Sequence, residues 1–94
     1  MRVRWLRRAL RNLDEEADYI ARDDPDAAAQ MVERIATSVD RLAIRPASGR
    51  TGRVPGTREL VVSGTPYVVP YRVRGETIEI LRVFHGARKW SEKF

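Results

Sequence analysis

The chain is expected to fold as a two-layer α+β domain of order β-α-α-β-β-β, an antiparallel helical hairpin packed on a mostly antiparallel sheet. Three observations predict it. The N-terminus alternates apolar and charged residues, two consecutive segments repeat apolar residues at helical spacing, and the second half breaks into short β-branched runs between turn residues.

"MRVRW" alternates, with Val3 facing one way and Arg2 and Arg4 the other, and predicts a short strand with one buried face. From Leu6 the period changes: Leu6, Leu10, Leu13, Ala17 and Ile20 form a helical stripe opposite Arg7, Arg8, Arg11, Asp14, Glu15 and Asp18. "RDDPDAAA" interrupts it, with Asp24 as N-cap and Pro25 at the first helical position, where a missing N–H costs nothing. Ala28, Met31, Ile35, Val39 and Leu42 make the second stripe, which ends before Pro46. A link of about four residues makes the two helices an antiparallel hairpin. "PASGRTGRVPGT" (46–57) is a loop by its glycine and proline content.

Three strands follow: "RELVV" (58–62), "YVVPYRVR" (67–74) and "ETIEILRVF" (76–84), linked by "SGTP" and "RG". Pro70 cannot donate to a ladder, so its strand must carry a bulge or face an unpaired position there. Strict alternation puts Ile78, Ile80 and Phe84 on one side of the last strand and Glu79, Leu81 and Val83 on the other. The helices cover one face only, so part of the remaining apolar surface is expected to be bare and to take a partner. Shielding by the 46–57 loop and the C-terminal segment is the competing expectation.

Ninety-four residues without cysteine make one domain held by packing alone, spanning the whole chain, with no disulfide or thiolate chemistry. No apolar run reaches the roughly 20 residues of a membrane span, and the basic N-terminus lacks the apolar stretch of a secretion signal, so a soluble cytoplasmic protein is expected. The net charge of +5 is unevenly spread: residues 1–40 hold seven arginines against nine carboxylates, residues 41–94 eleven bases against four acids. A positive field therefore belongs to the second half and favours an acidic partner. Sixteen of the eighteen bases are arginine, which suits carboxylate and phosphate equally; a genome-wide arginine bias explains the count as well.

"HGARKW" (85–90) concentrates the only histidine, His85, with Arg88, Lys89 and Trp90. A site for catalysis, nucleic acid or protein are the three readings it raises. No helix carries a basic stripe free of acids, and nothing marks a recognition helix or a stacking platform, which makes a plain nucleic-acid-binding module the weakest.

From "VRWL" through "AL..L....DYIA.D.P.AA" to "GRVPGTRELVVSGTPYVVPYRVRGETIEILRVFHGARKW", the chain resembles a ParE-type toxin of the RelE/ParE superfamily of bacterial type II toxin–antitoxin systems. No single element is specific; their order and spacing over almost the whole chain are. The resemblance implies a toxin made with a larger, ParD-like antitoxin whose N-terminal part binds DNA and whose C-terminal segment orders on wrapping the toxin. The toxin then reaches DNA only through its antitoxin, and no membrane or cofactor is involved. ParE-type members are associated with poisoning DNA gyrase, RelE-type members with cutting mRNA on the ribosome.

Cleavage of the RelE kind needs a base or charge-stabiliser, cations on the scissile phosphate and a proton donor. RelE-like sequences supply them with lysines and arginines on the middle strands and an arginine and a tyrosine near the C-terminus. Here Val68 follows the middle-strand aromatic, "RELVV" has no lysine pair, and the chain ends Glu92-Lys93-Phe94. Arg58, His85 and Arg88 are the groups left for a phosphate site, and no proton-transfer set is assembled. A non-catalytic binding toxin is expected, with no catalytic and no metal-ligating residue. Antitoxin contacts are expected at Arg58 and Arg82 around an apolar floor of Leu60, Val62, Leu81 and Val83, joined by Arg88 and Lys89. Target contacts are expected at His85, Arg88, Lys89 and Trp90, Trp90 being equally suited to closing the core.

Overall fold

The two helices form where the apolar stripes place them. In the computed structural model, which describes residues 1–86, α1 spans Arg7–Ala21 and α2 spans Pro25–Asp40, followed by a single 3-10 turn at Arg41–Ala43. The Asp24 side chain accepts the Ala27 N–H at 3.1 Å, with Pro25 opening the helix. The stripe expected from Ala28 to Leu42 is buried throughout, its last residue in the 3-10 turn after α2. In α1 the buried line is Ala9, Leu13 and Glu16, flanked by Ala17 and Ile20, and Leu10 stands 46 % exposed. Leu10 is therefore not a core residue: the helix turns its Ala9 edge inward.

The sheet has the order β1-β5-β4-β3-β2, with β1 Arg2–Trp5, β2 Arg50–Thr51, β3 Arg58–Val61, β4 Tyr67–Arg74, β5 Thr77–Ile80 and β6 Phe84–His85. The β1–β5 pair is parallel and the others are antiparallel. The architecture is the expected α+β one, with two additions. A two-residue strand, β2, forms inside the 46–57 loop, and the last strand is split.

The split follows from Pro70. Between Tyr71 and Val68, β4 advances three positions, whereas its partner advances four, from Ile80 to Phe84. The Pro70 carbonyl accepts the Leu81 N–H at 2.9 Å, but proline returns no N–H, so the extra residue sits opposite it. The strand expected over 76–84 is thus β5, a bulge over 81–83, and β6. The bulge shifts the alternation, and Val83 rejoins Ile78 and Ile80 on the helix side, 2 % exposed.

The core lies between the helices and one face of the sheet: Ile35, Val39 and Leu42 meet Val62, Val69, Tyr71, Ile78 and Ile80, all fully buried. Each such side chain contributes about 1.5–3 kcal/mol of transfer free energy. On the opposite face Val68, Pro70 and Leu81 are also buried. Val54 and Pro55 of the 46–57 loop line one depression with Leu81. The bare apolar area expected on that face shrinks to Val61, 50 % exposed, and a half-buried Phe84 across Val68 from it. Among the described residues, no helix is long and apolar enough to cross a membrane.

Candidate functional site

His85 is carried by β6 and pairs with Tyr67 at the start of β4, their rings edge to face with centroids 5.7 Å apart. The Tyr67 hydroxyl donates to the Glu16 carboxylate at 3.2 Å, a bond that lets a glutamate occupy the buried side of α1. Beside this pair opens a groove of about 610 Å³, with Tyr19, Ile20 and Met31 on its apolar side and Arg34 and His85 on its rim. Tyr19 is 63 % exposed there. An aromatic and aliphatic floor with a mixed-charge rim suits a protein segment. Among the described residues there is also no cluster of three metal-ligating side chains.

Arg82 stands on the bulge. Its Nε donates to Asn12 Oδ1 at 2.7 Å, the Val83 N–H donates to the same oxygen at 3.2 Å, and the guanidinium lies 4.8 Å from the Phe84 ring centre. Burial, and then the nearby Arg8 charge, lower the Arg82 pKa from its ordinary value, with Glu15 acting in the opposite sense. Asn12 therefore fastens the bulge to α1. Asn12→Ala is expected to cost about 1–3 kcal/mol by stranding the Val83 N–H, while Asn12→Asp, which keeps the acceptor, holds most of the stability. Chemical denaturation of the three proteins checks this, and equal loss in both variants would remove the bond from the account.

The face opposite the helices is built differently. Two buried glutamates each gather arginines: Glu59 accepts from Arg50 Nη2 at 2.9 Å and from the Arg53 N–H at 2.9 Å, and Glu79 accepts from Arg72 Nε at 2.6 Å. Burial raises the Glu59 pKa, but the Arg53 and Arg50 hydrogen bonds outweigh it and hold the carboxyl below its ordinary value. The Arg72 hydrogen bond does the same for Glu79 against a smaller cost of burial, helped by the charges of Arg74 and Arg4.

The residues expected to bind the antitoxin do not form one surface. Arg58 lies opposite Tyr71 and donates to the Gly49 carbonyl at 2.9 Å, so it secures the loop. Leu60 is half-buried against the core, and Val62, 0 % exposed, lies within it with Val83. Leu81 is buried on the other face. The expectation of one open floor through Leu60, Val62, Leu81 and Val83 is therefore corrected: the β3–β4 register sets Leu60 and Val62 on the helix side, the bulge brings Val83 to that side, and Leu81, next to inward-facing Ile80, points to the other face. Of the expected target contacts, His85 lines the groove, and Arg88, Lys89 and Trp90 lie outside the described residues. Unforeseen were the Glu16–Tyr67 pair and the glutamate-centred arginine groups. The outward alternation of Arg2 with Arg4 and of Arg72 with Arg74 was the available signal for the latter.

Residues 3–90 match the family model described as the ParE toxin of type II toxin–antitoxin system, parDE. The chain belongs to this family. As a ParE-family toxin it has an antitoxin as its partner. Among relatives, Y4kP of Sinorhizobium fredii is 55 % identical over 91 residues, 97 % of this chain and 94 % of that protein. The toxin RelE2 of Caulobacter vibrioides is 42 % identical, covering 92 % of this chain and 96 % of its own length. A solved chain from the chromosomal ParDE system of P. aeruginosa superposes with a TM-score of 0.81 at 34 % identity, over 90 % of this ParE-family chain and 95 % of that one.

Proposed function

We propose that this toxin acts by binding rather than by cutting, that its target is DNA gyrase, and that a ParD-like antitoxin neutralises it in the cytoplasm. The observation that carries the reading is the separation of the groups a nuclease would need. Arg58 pairs with Tyr71 on one flank of β4, and His85 with Tyr67 on the other. Four residues of strand put their backbones about 13 Å apart along β4, on opposite flanks of that strand. Arg58 is moreover committed to the loop carbonyls. In this reading the groove beside His85 takes a protein segment, and Arg58, Leu60 and Arg82, which keep some surface, remain antitoxin contacts.

The experiment is expression without antitoxin, followed by gyrase supercoiling with purified toxin. Growth arrest is expected, with supercoiling inhibited and cellular mRNA intact; a harmless chain speaks against any toxin activity in it. The name of the relative RelE2 favours a second reading, ribosome-dependent mRNA cleavage. Codon-phased cuts in mRNA with supercoiling unaffected would establish that reading in place of the first.

A further inference from the structure

Across β1, β5 and β4 the register aligns two rows on the face opposite the helices. One is Arg4–Glu79–Arg72 and the next is Arg2–Thr77–Arg74. Each row has an arginine on both outer strands. We propose that these four arginines form a contact surface for the phosphate backbone of duplex DNA.

Arg2, Arg4 and Arg74 are exposed, and the Arg72 side chain keeps 38 % of its surface. Within a strand, residues two apart lie about 6.7 Å from each other, and β1 and β4 stand roughly 9.6 Å apart across β5. The four arginines thus rise from a backbone patch of about 7 by 10 Å. Glu79 at its centre is buried and engaged by Arg72 at 2.6 Å and by Arg74 at 3.6 Å, so it lowers their mutual repulsion without presenting a negative surface. Glu76, exposed in the turn before β5, is the other acid beside Arg2. The patch keeps a positive balance with both acids counted.

The occupant follows from what the rows lack. Their one uncharged residue is Thr77, and the apolar depression of Val54, Pro55 and Leu81 adjoins only the Arg72–Arg74 edge, so a peptide laid across both rows finds no apolar anchor between them. A polyphosphate needs none, because released counterions supply the free energy. The rows hold no aromatic ring on which an unpaired base would stack, which favours a duplex over a single strand. This contact is direct, unlike the route through the antitoxin implied by the family, and it does not depend on gyrase being the target.

The test is fluorescence anisotropy of a labelled 20-base-pair random duplex with the full-length toxin, titrated at about 50 to 200 mM KCl. Four phosphate contacts predict a log–log salt slope of about −3.6. Arg2→Gln with Arg74→Gln, which removes one row, is expected to weaken binding at least tenfold at the lower salt and to reduce the slope by about 1.8. Arg4→Gln alone is a second variant, expected to reduce the slope by about 0.9. Arg7→Gln with Arg11→Gln, exposed on α1, should leave the slope unchanged. An unaltered slope in the row variants, an equal loss in the α1 control, or tighter binding to poly-glutamate, duplex RNA or single-stranded DNA overturns the proposal.

Discussion

Gly49→Ala is expected to destabilise the protein by about 2–4 kcal/mol, through overpacking and lost hydrogen bonds together. A Cβ at this position would lie 2.6 Å from both the ring and the hydroxyl of Tyr71, which is fully buried and cannot retreat. The loop must move instead. That motion breaks what holds it: the Tyr71 hydroxyl accepts the Gly49 N–H at 2.8 Å and donates to the Pro46 carbonyl at 2.8 Å, and Arg58 donates to the Gly49 carbonyl. For a domain of this size the melting temperature should fall by about 10–25 °C. Tyr71→Phe keeps the packing and loses only the two hydroxyl bonds, so it should fall between the parent and Gly49→Ala. A melting temperature within a degree of the parent for Gly49→Ala would show that the loop is not fastened through this contact.

Acid should weaken the fold through Glu59 and Glu79. Both carboxyls sit below their ordinary pKa of 4.5, Glu59 because the Arg53 and Arg50 hydrogen bonds outweigh burial, Glu79 chiefly because of Arg72. A folded-state pKa below the unfolded one means that the unfolded chain takes up protons first as pH falls. The stabilisation is therefore complete above about pH 5 and disappears as pH drops below 4.5 through the lower folded values. The side chains of Arg50 and Arg53 remain about half exposed, at 54 % and 48 %, and solvent screens much of the interaction. Glu59→Gln is accordingly expected to cost about 1–2 kcal/mol at pH 7 and progressively less as pH falls below 4.5. Thermal melts from pH 8 to pH 3 measure both. If Glu59→Gln melts in parallel with the parent over that range, the carboxylate is not the acid-sensitive group.

Functional surfaces were harder to foresee than the elements that carry them. His85 was conspicuous as the only imidazole, and it does line the groove, yet its neighbours Glu16 and Tyr67 are 69 and 18 positions away in the chain. The antitoxin floor failed on strand register: pairing with β4 turns Leu60 and Val62 to the helix side, and the bulge facing Pro70 sends Val83 there too, leaving Leu81 alone on the other face. Charge balance by halves assigned the positive field to residues 41–94. The register joins Arg2 and Arg4 of the acidic half to Arg72 and Arg74.

What the sequence by itself determined is local. The 3.6-residue stripe of α2, the Asp24–Pro25 helix start and the limits of β4 were legible, because capping, proline geometry and burial period act over a few neighbouring residues. Only the tertiary structure decided which edge of α1 turns inward, where the last strand slips and which arginines stand together. Those outcomes depend on strand register and on the depth at which helix meets sheet, quantities set by contacts between residues far apart in the chain.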